Sequence, residues 1–102
     1  MSIVIAQYVF EGPYGDTNTL KDIPGIFAIQ CYKDDRYYPI DVGESDDVKW
    51  RVENHDRKYF WNYHCHGKLK VSVLYTPGLG QEQRLKIVRL IRNKYQHPCE
   101  DS

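Results

Sequence analysis

The sequence predicts an α/β domain built on a small, mostly antiparallel sheet of three to four strands flanked by helices. Short runs rich in β-branched and aromatic residues are separated by clusters of Gly, Pro and Asp, which is typical of strands joined by turns. A later stretch, residues 81–95, instead repeats apolar residues with the period of an α-helix. A chain of 102 residues has room for one core. We therefore predict a single domain over residues 1–102, with residues 1–23 as an N-terminal strand and loop extension.

The turn signals place the strands along the chain. Residues 3–10 (IVIAQYVF) are predicted as the first strand, and the turn cluster at 11–16 (EGPYGD) is expected to end it. The segments 25–32 and 37–42 are joined by a polar KDDR turn and are predicted to form a hairpin. Residues 69–75 alternate in part and stop at a Thr-Pro-Gly turn, which predicts a further strand.

A first helix is predicted after the hairpin, capped by Ser45 or Asp46, and the acidic Asp46 and Asp47 suit its positive N-terminal end. Its buried stripe is expected to contain Val48, Val52 and His55, with Tyr59 as a candidate fourth member and Arg51 beside His55. Residues 58–67 are dense in aromatic residues and histidines but have no clear period.

The second helix, over residues 81–95, is the clearest element in the chain. One side is predicted to carry Arg84, Ile87, Val88, Ile91 and Tyr95, and the other Glu82, Lys86, Arg89 and Asn93. His97-Pro98-Cys99 is expected to stop it, because proline cannot continue the backbone hydrogen bonds of a helix.

Composition narrows the cellular setting. No apolar run is long enough for a membrane span, and the N-terminus has no secretory signal pattern, so we predict a cytoplasmic protein without membrane contact. Three cysteines form no regular framework, which favours reduced thiols, with Cys31 and Cys99 as small core residues. His64-Cys65-His66 and His97-Pro98-Cys99 offer zinc ligands, but their spacing disfavours a zinc site.

The formal net charge is zero, so the protein as a whole has no electrostatic attraction for the phosphates of nucleic acid. Charge is nevertheless distributed unevenly: residues 1–50 contain 4 basic and 9 acidic groups, whereas residues 51–102 contain 10 basic and 5 acidic groups. Phosphate contacts are therefore expected from the second half of the chain. The aromatic run 59–63 is able to stack on bases, although such clusters more often pack against the edge of a small core.

Two short motifs suggest a family. Gly25-Ile26-Phe27 opens one strand of the hairpin, and Asp41-Val42-Gly43 ends the other. Arg51 and His55 follow eight and twelve residues after Gly43. Together with the C-terminal segment over residues 90–99, this pattern resembles the GIY-YIG nuclease family over residues 24–100. The resemblance implies a pocket in which Arg51, His55, Phe27 and Asp41 occupy catalytic positions, and in which Arg51, His55 and Lys58 contact nucleic acid.

Several positions depart from the family pattern. Phe27 and Asp41 stand where the family has tyrosines. The family's metal-binding glutamate would fall at Val88, and its final asparagine at Glu100. Valine offers no oxygen ligand to a hard cation. Asp41 and Glu100 are the better substitute ligands for Mg²⁺ or Mn²⁺, whereas Glu82 lies on the opposite helix face, where Lys86 offers it an ion pair.

The sequence thus predicts a GIY-YIG-like domain that contacts nucleic acid through phosphates and is catalytically impaired or inactive. One alternative is an active endonuclease, a hydrolase that uses a divalent metal and a substitute carboxylate. The other is a protein-interaction module that retains only the fold, which the zero net charge favours. Nucleic acid is the expected partner, DNA being favoured over RNA, and a protein partner remains open.

Overall fold

The structure is a computed structural model that describes residues 1–95. Along the chain, the elements are β1 (Ser2–Ile5), β2 (Tyr8–Tyr14), β3 (Gly25–Lys33), β4 (Arg36–Ser45), α1 (Val48–Glu53), α2 (Lys58–His64), β5 (Lys68–Tyr75) and α3 (Gln81–Lys94). No helix in this described part of the chain is long and apolar enough to cross a bilayer.

The strands form one antiparallel sheet in the order β1-β2-β5-β3-β4. The hairpin of β3 and β4 was predicted from sequence and is confirmed, and its turn places Asp34 and Asp35 at positive φ, as tight hairpin turns require. The α/β class is also confirmed. The sheet has five strands, however, rather than the three to four that were predicted.

The additional strand comes from the N-terminal segment. The single strand predicted over 3–10 is wrong, because the chain reverses at Ala6, whose φ is 56°, and returns as β2. The predicted turn at 11–16 lies mostly within β2, where the register against β5 shifts between Glu11 and Tyr14. A bulge of this kind accommodates glycine and proline inside a strand, so these residues do not end it.

The region between the hairpin and β5 contains two short helices instead of one. Asp47, not Ser45 or Asp46, precedes α1, and its own side chain makes no cap hydrogen bond. Oδ1 of Asp22 instead accepts from the N–H of Trp50 in the first turn at 2.9 Å. Asp46 instead forms an ion pair with Arg84 of α3. The predicted burial of Val48, Val52 and His55 is confirmed, but Tyr59 lies on α2 and is 66% exposed. Helix α2 was not predicted within residues 58–67, because only its Trp61 is buried and one buried residue gives no apolar period.

Helices cover both faces of the sheet. Alternate residues of β3 divide between them: Ile26 and Ala28 pack towards α3, whereas Phe27, Ile29 and Cys31 pack towards α1 and α2. Helix α3 buries Arg84, Val88 and Ile91, as predicted. The edge strand β4 therefore has a helix layer on each side.

A disulfide joins Cys31 of β3 to Cys65, the residue after α2. The prediction of reduced thiols is wrong for this pair. Irregular cysteine spacing gave no signal, because the two residues are 34 positions apart and meet only through the tertiary fold. Cys65 is thereby unavailable as a zinc-binding thiolate. Cys99 lies outside the described residues.

Reduction of this disulfide is expected to lower the free energy of unfolding by about 3–4 kcal/mol, since the crosslink restricts the unfolded chain over a separation of 34 residues. Urea unfolding with and without reductant measures this effect. The double variant Cys31→Ala/Cys65→Ala is the control, and its unfolding midpoint should not respond to reductant. A wild-type midpoint that is equally insensitive would contradict the crosslink.

Candidate functional site

The predicted residues Phe27, Arg51 and His55 meet in one pocket of about 160 Å³ at the outer edge of β4. Its wall is completed by Gly43, Glu44, Arg57, Leu85, Val88 and Arg92. The pocket reaches both helix layers, because Arg51 belongs to α1 and the last three of these residues belong to α3. The fold thus brings together three of the four residues that the family resemblance implied as catalytic.

Gly43 leaves space for the ring of Phe27, which forms the floor of the pocket. A Cβ atom at this position would lie 2.6 Å from Cζ of Phe27, so any side chain here would displace the ring. Phe27 in turn meets the imidazole of His55 edge to face, with ring centroids 5.7 Å apart. The hydroxyl that tyrosine would add at position 27 is absent, and the ring serves as a packing surface.

His55 follows α1 and is held in a neutral form. Its side chain is only 2% exposed. The backbone N–H of Arg57 donates to Nδ1 at 3.0 Å, so the ring hydrogen resides on Nε2. Burial lowers the pKa of His55 from 6.5 to about 4, and the positive charges of Arg51 and Arg57 contribute in the same direction. Asp41 and Asp56 oppose this shift only in part.

Asp41 anchors this side of the pocket instead of lining it. The carboxylate is 1% exposed. Its Oδ2 accepts a hydrogen bond from Nε1 of Trp61 at 2.9 Å and lies 3.2 Å from the guanidinium of Arg57. Its Oδ1 accepts from the N–H of Val42. With both oxygens already engaged, the side chain predicted as a catalytic group or cation ligand serves as a bridge between β4 and α2.

Sequence reasoning missed two arginines of the pocket. Arg57 approaches from the start of α2, and Arg92 approaches from α3, donating to the carbonyl oxygen of Val42 at 3.0 Å. Arg92 was detectable from its spacing, since it lies four residues after Val88 on the same helix face. Arg57 gave no such signal, because its position depends on a helix that has no apolar period.

As far as residues 1–95 show, the pocket does not supply the ligands of the divalent cation that the family resemblance implies. Val88 lines the wall at the position expected for a metal-binding glutamate. The one carboxylate in the wall, Glu44, is bound by Nε of Arg84 at 2.9 Å. Within residues 1–95, no three His, Cys, Asp or Glu side chains are grouped as a metal site. Hard cations require several oxygen ligands, whereas the described wall supplies a single carboxylate that is already paired with an arginine.

The remaining predicted residues lie elsewhere. Nζ of Lys58 donates to the carbonyl oxygen of Glu53 at 3.1 Å, and this lysine faces a neighbouring cavity beside Tyr14 and Trp61. Glu82 is exposed on the first turn of α3. Glu100 falls outside the described residues. Neither Lys58 nor Glu82 therefore joins Arg51 and His55 in the pocket.

Comparison with protein-family models, curated proteins and solved structures gave no match to this chain.

The buried, neutral His55 should make folding stability depend on pH. The unfolded chain takes up a proton near pH 6.5, whereas the folded protein does so only near pH 4. Stability should thus be complete above the higher value and fall by roughly 3 kcal/mol as the pH drops from 6.5 to about 4. Urea unfolding across this range measures the slope.

His55→Asn is the matched control, because its side-chain oxygen is able to accept from the N–H of Arg57 but does not titrate. The difference in slope between the two proteins isolates His55 from the carboxylates. Equal slopes, or a His55 ring that titrates near pH 6.5 by NMR, would contradict its burial in the neutral form.

Proposed function

We propose that this protein is a nucleic-acid-binding domain that holds a backbone phosphate in the pocket of Arg51 and His55 and does not hydrolyse it. The observation that supports this most directly is the convergence of three guanidinium groups, from Arg51, Arg57 and Arg92, on one small pocket. Guanidinium groups bind phosphate oxygens through paired, charge-assisted hydrogen bonds, so this residue set suits a phosphodiester.

The existing partners of these arginines leave room for a phosphate. Arg51 contacts Asp56 at 3.2 Å, but Asp56 is 77% exposed, and exposed ion pairs are weak and readily exchanged. Arg92 holds a backbone carbonyl oxygen, which leaves its charge uncompensated by that contact. Arg57 is oriented by the buried Asp41. His55 adds an uncharged donor, its Nε2–H, to this cationic wall.

The same geometry disfavours cleavage. Phosphodiester hydrolysis needs a base for the attacking water and a group that stabilises the leaving oxygen, commonly a metal ion. Nδ1 of His55 accepts a backbone hydrogen bond and Nε2 carries the hydrogen, so neither nitrogen is ready to act as a base. Glu44 is bound by Arg84, and Val88 offers no ligand. These features favour binding over hydrolysis.

The proposed relationship is to the GIY-YIG nucleases, as a member that has lost catalysis. It is supported by the order of a hairpin, an arginine-bearing helix, a strand and a final helix, and by Val88 lining the pocket where the resemblance implies the metal ligand. A cytoplasmic location remains a prediction. The disulfide between Cys31 and Cys65 favours a less reducing compartment.

Binding through phosphates predicts a strong dependence on salt. Fluorescence anisotropy of labelled oligonucleotides should show an affinity that falls steeply between about 50 and 200 mM salt. Arg51→Ala should weaken binding and reduce the slope of log K against log salt by about one, because one phosphate contact is lost. Arg36→Ala, an exposed residue at the hairpin turn, is the control and should change neither quantity.

Affinity that is independent of salt, or an equal loss in Arg36→Ala, would defeat the phosphate assignment. The absence of cleavage is tested separately with supercoiled plasmid in Mg²⁺ or Mn²⁺. The plasmid should stay intact. Metal-dependent nicking that Arg51→Ala abolishes would instead establish the active-endonuclease alternative.

A further inference from the structure

Four aromatic rings on α2 form a surface beside the arginine pocket. This aromatic platform comprises Tyr59, Phe60, Tyr63 and His64. Tyr59 stacks on Phe60 with centroids 4.4 Å apart, Phe60 lies nearly parallel to His64, and Tyr63 meets His64 edge to face. The rings are thus arranged as a connected patch along one short helix.

The two tyrosines of the platform are largely exposed, whereas Phe60 and His64 are half-buried and Phe60 packs against the core. Tyr59 is 66% exposed and Tyr63 is 74% exposed, and the two are four residues apart on the same helix face. Only Trp61 of α2 is buried, and the disulfide of Cys65 holds the C-terminal end of the helix to the sheet. Large rings that remain in solvent contribute little to the core, so their open faces are available to a ligand.

The platform is continuous with the pocket. Phe60 lines a shallow depression of about 340 Å³ together with Arg51, Asp56 and Arg57. The same two arginines line the wall that holds His55. Arg51 and Arg57 therefore line both depressions, and Phe60 joins the second one to the platform, so a single ligand is able to contact both surfaces.

We propose that the occupant of this combined surface is single-stranded nucleic acid, with unpaired bases stacked on the aromatic platform and the adjoining phosphates held by Arg51 and Arg57. This inference rests on the proposed function and specifies its substrate class. Every base has a flat π face, whereas bases inside a duplex are already stacked on one another and present only their edges. The cationic border suits a phosphodiester chain, and open rings beside it suit extruded bases.

Fluorescence anisotropy with three labelled ligands tests the proposal on the intact, oxidised protein. The ligands are a decathymidylate, an abasic oligonucleotide of the same length and charge, and a blunt duplex of that length. Decathymidylate should bind roughly tenfold more tightly than the abasic strand, because stacking is lost without bases. The duplex should also bind more weakly than decathymidylate.

The double variant Tyr59→Leu/Tyr63→Leu should remove most of this preference while leaving the abasic strand bound as in the wild type. Both tyrosines are exposed, so the variant should unfold at the wild-type urea concentration, and each single variant should show a partial effect. Tyr37→Leu is the matched control. Tyr37 is also an exposed tyrosine, at 42%, but it lies beside the cavity between β1 and α3.

The outcomes separate the two proposals. Equal binding of decathymidylate and the abasic strand, unaffected by the double variant, would overturn the stacking inference and leave the phosphate pocket in place. Tighter binding of the duplex would also overturn it. If no ligand binds, both proposals fail, and the surface is better explained as a contact for a protein partner.

Discussion

The buried carboxylate of Asp41 is the interaction on which the candidate site depends. From the edge strand β4, it accepts the indole hydrogen of Trp61 and pairs with the guanidinium of Arg57. Trp61 then packs on His55, with ring centroids 4.7 Å apart. A carboxylate with 1% exposure is costly to bury unless it is fully paired, and removing one member of such a pair typically costs about 3–5 kcal/mol. Asp41 therefore links the position of α2 to the chemistry of the pocket.

Three arginines line the pocket, although the protein as a whole is not cationic. The chain has zero net charge, and most of its ion pairs satisfy carboxylates in place, as Arg84 does for Glu44 and Asp46. At the edge of β4 the balance differs, since Arg92 is held by a carbonyl oxygen and Arg51 by an exposed carboxylate. Local geometry, not overall composition, thus concentrates positive charge where a phosphate is able to enter.

Sequence patterns predicted the parts of the structure that local rules determine. The hairpin follows from its turn residues and α3 from its apolar period, whereas the meeting of Phe27, Arg51 and His55 was implied by the family resemblance. The features that were missed arise from contacts distant in sequence. Helix α2 has a single buried residue, Trp61, so it has no apolar stripe to detect. The partners of Asp41 and the Cys31–Cys65 disulfide arise only once α2 has packed on the sheet.

The central claim is that one pocket, organised by Asp41, receives a phosphate. The most direct measurement is NMR of the arginine Nε–Hε groups and the His55 ring during titration with decathymidylate. If this pocket receives a phosphate, the signals of Arg51, Arg57, Arg92 and His55 should shift together at the same ligand concentration, while those of the exposed Arg36 and Arg89 stay in place. Shifts that are largest at Arg36 or Arg89, with the pocket signals unchanged, would contradict it.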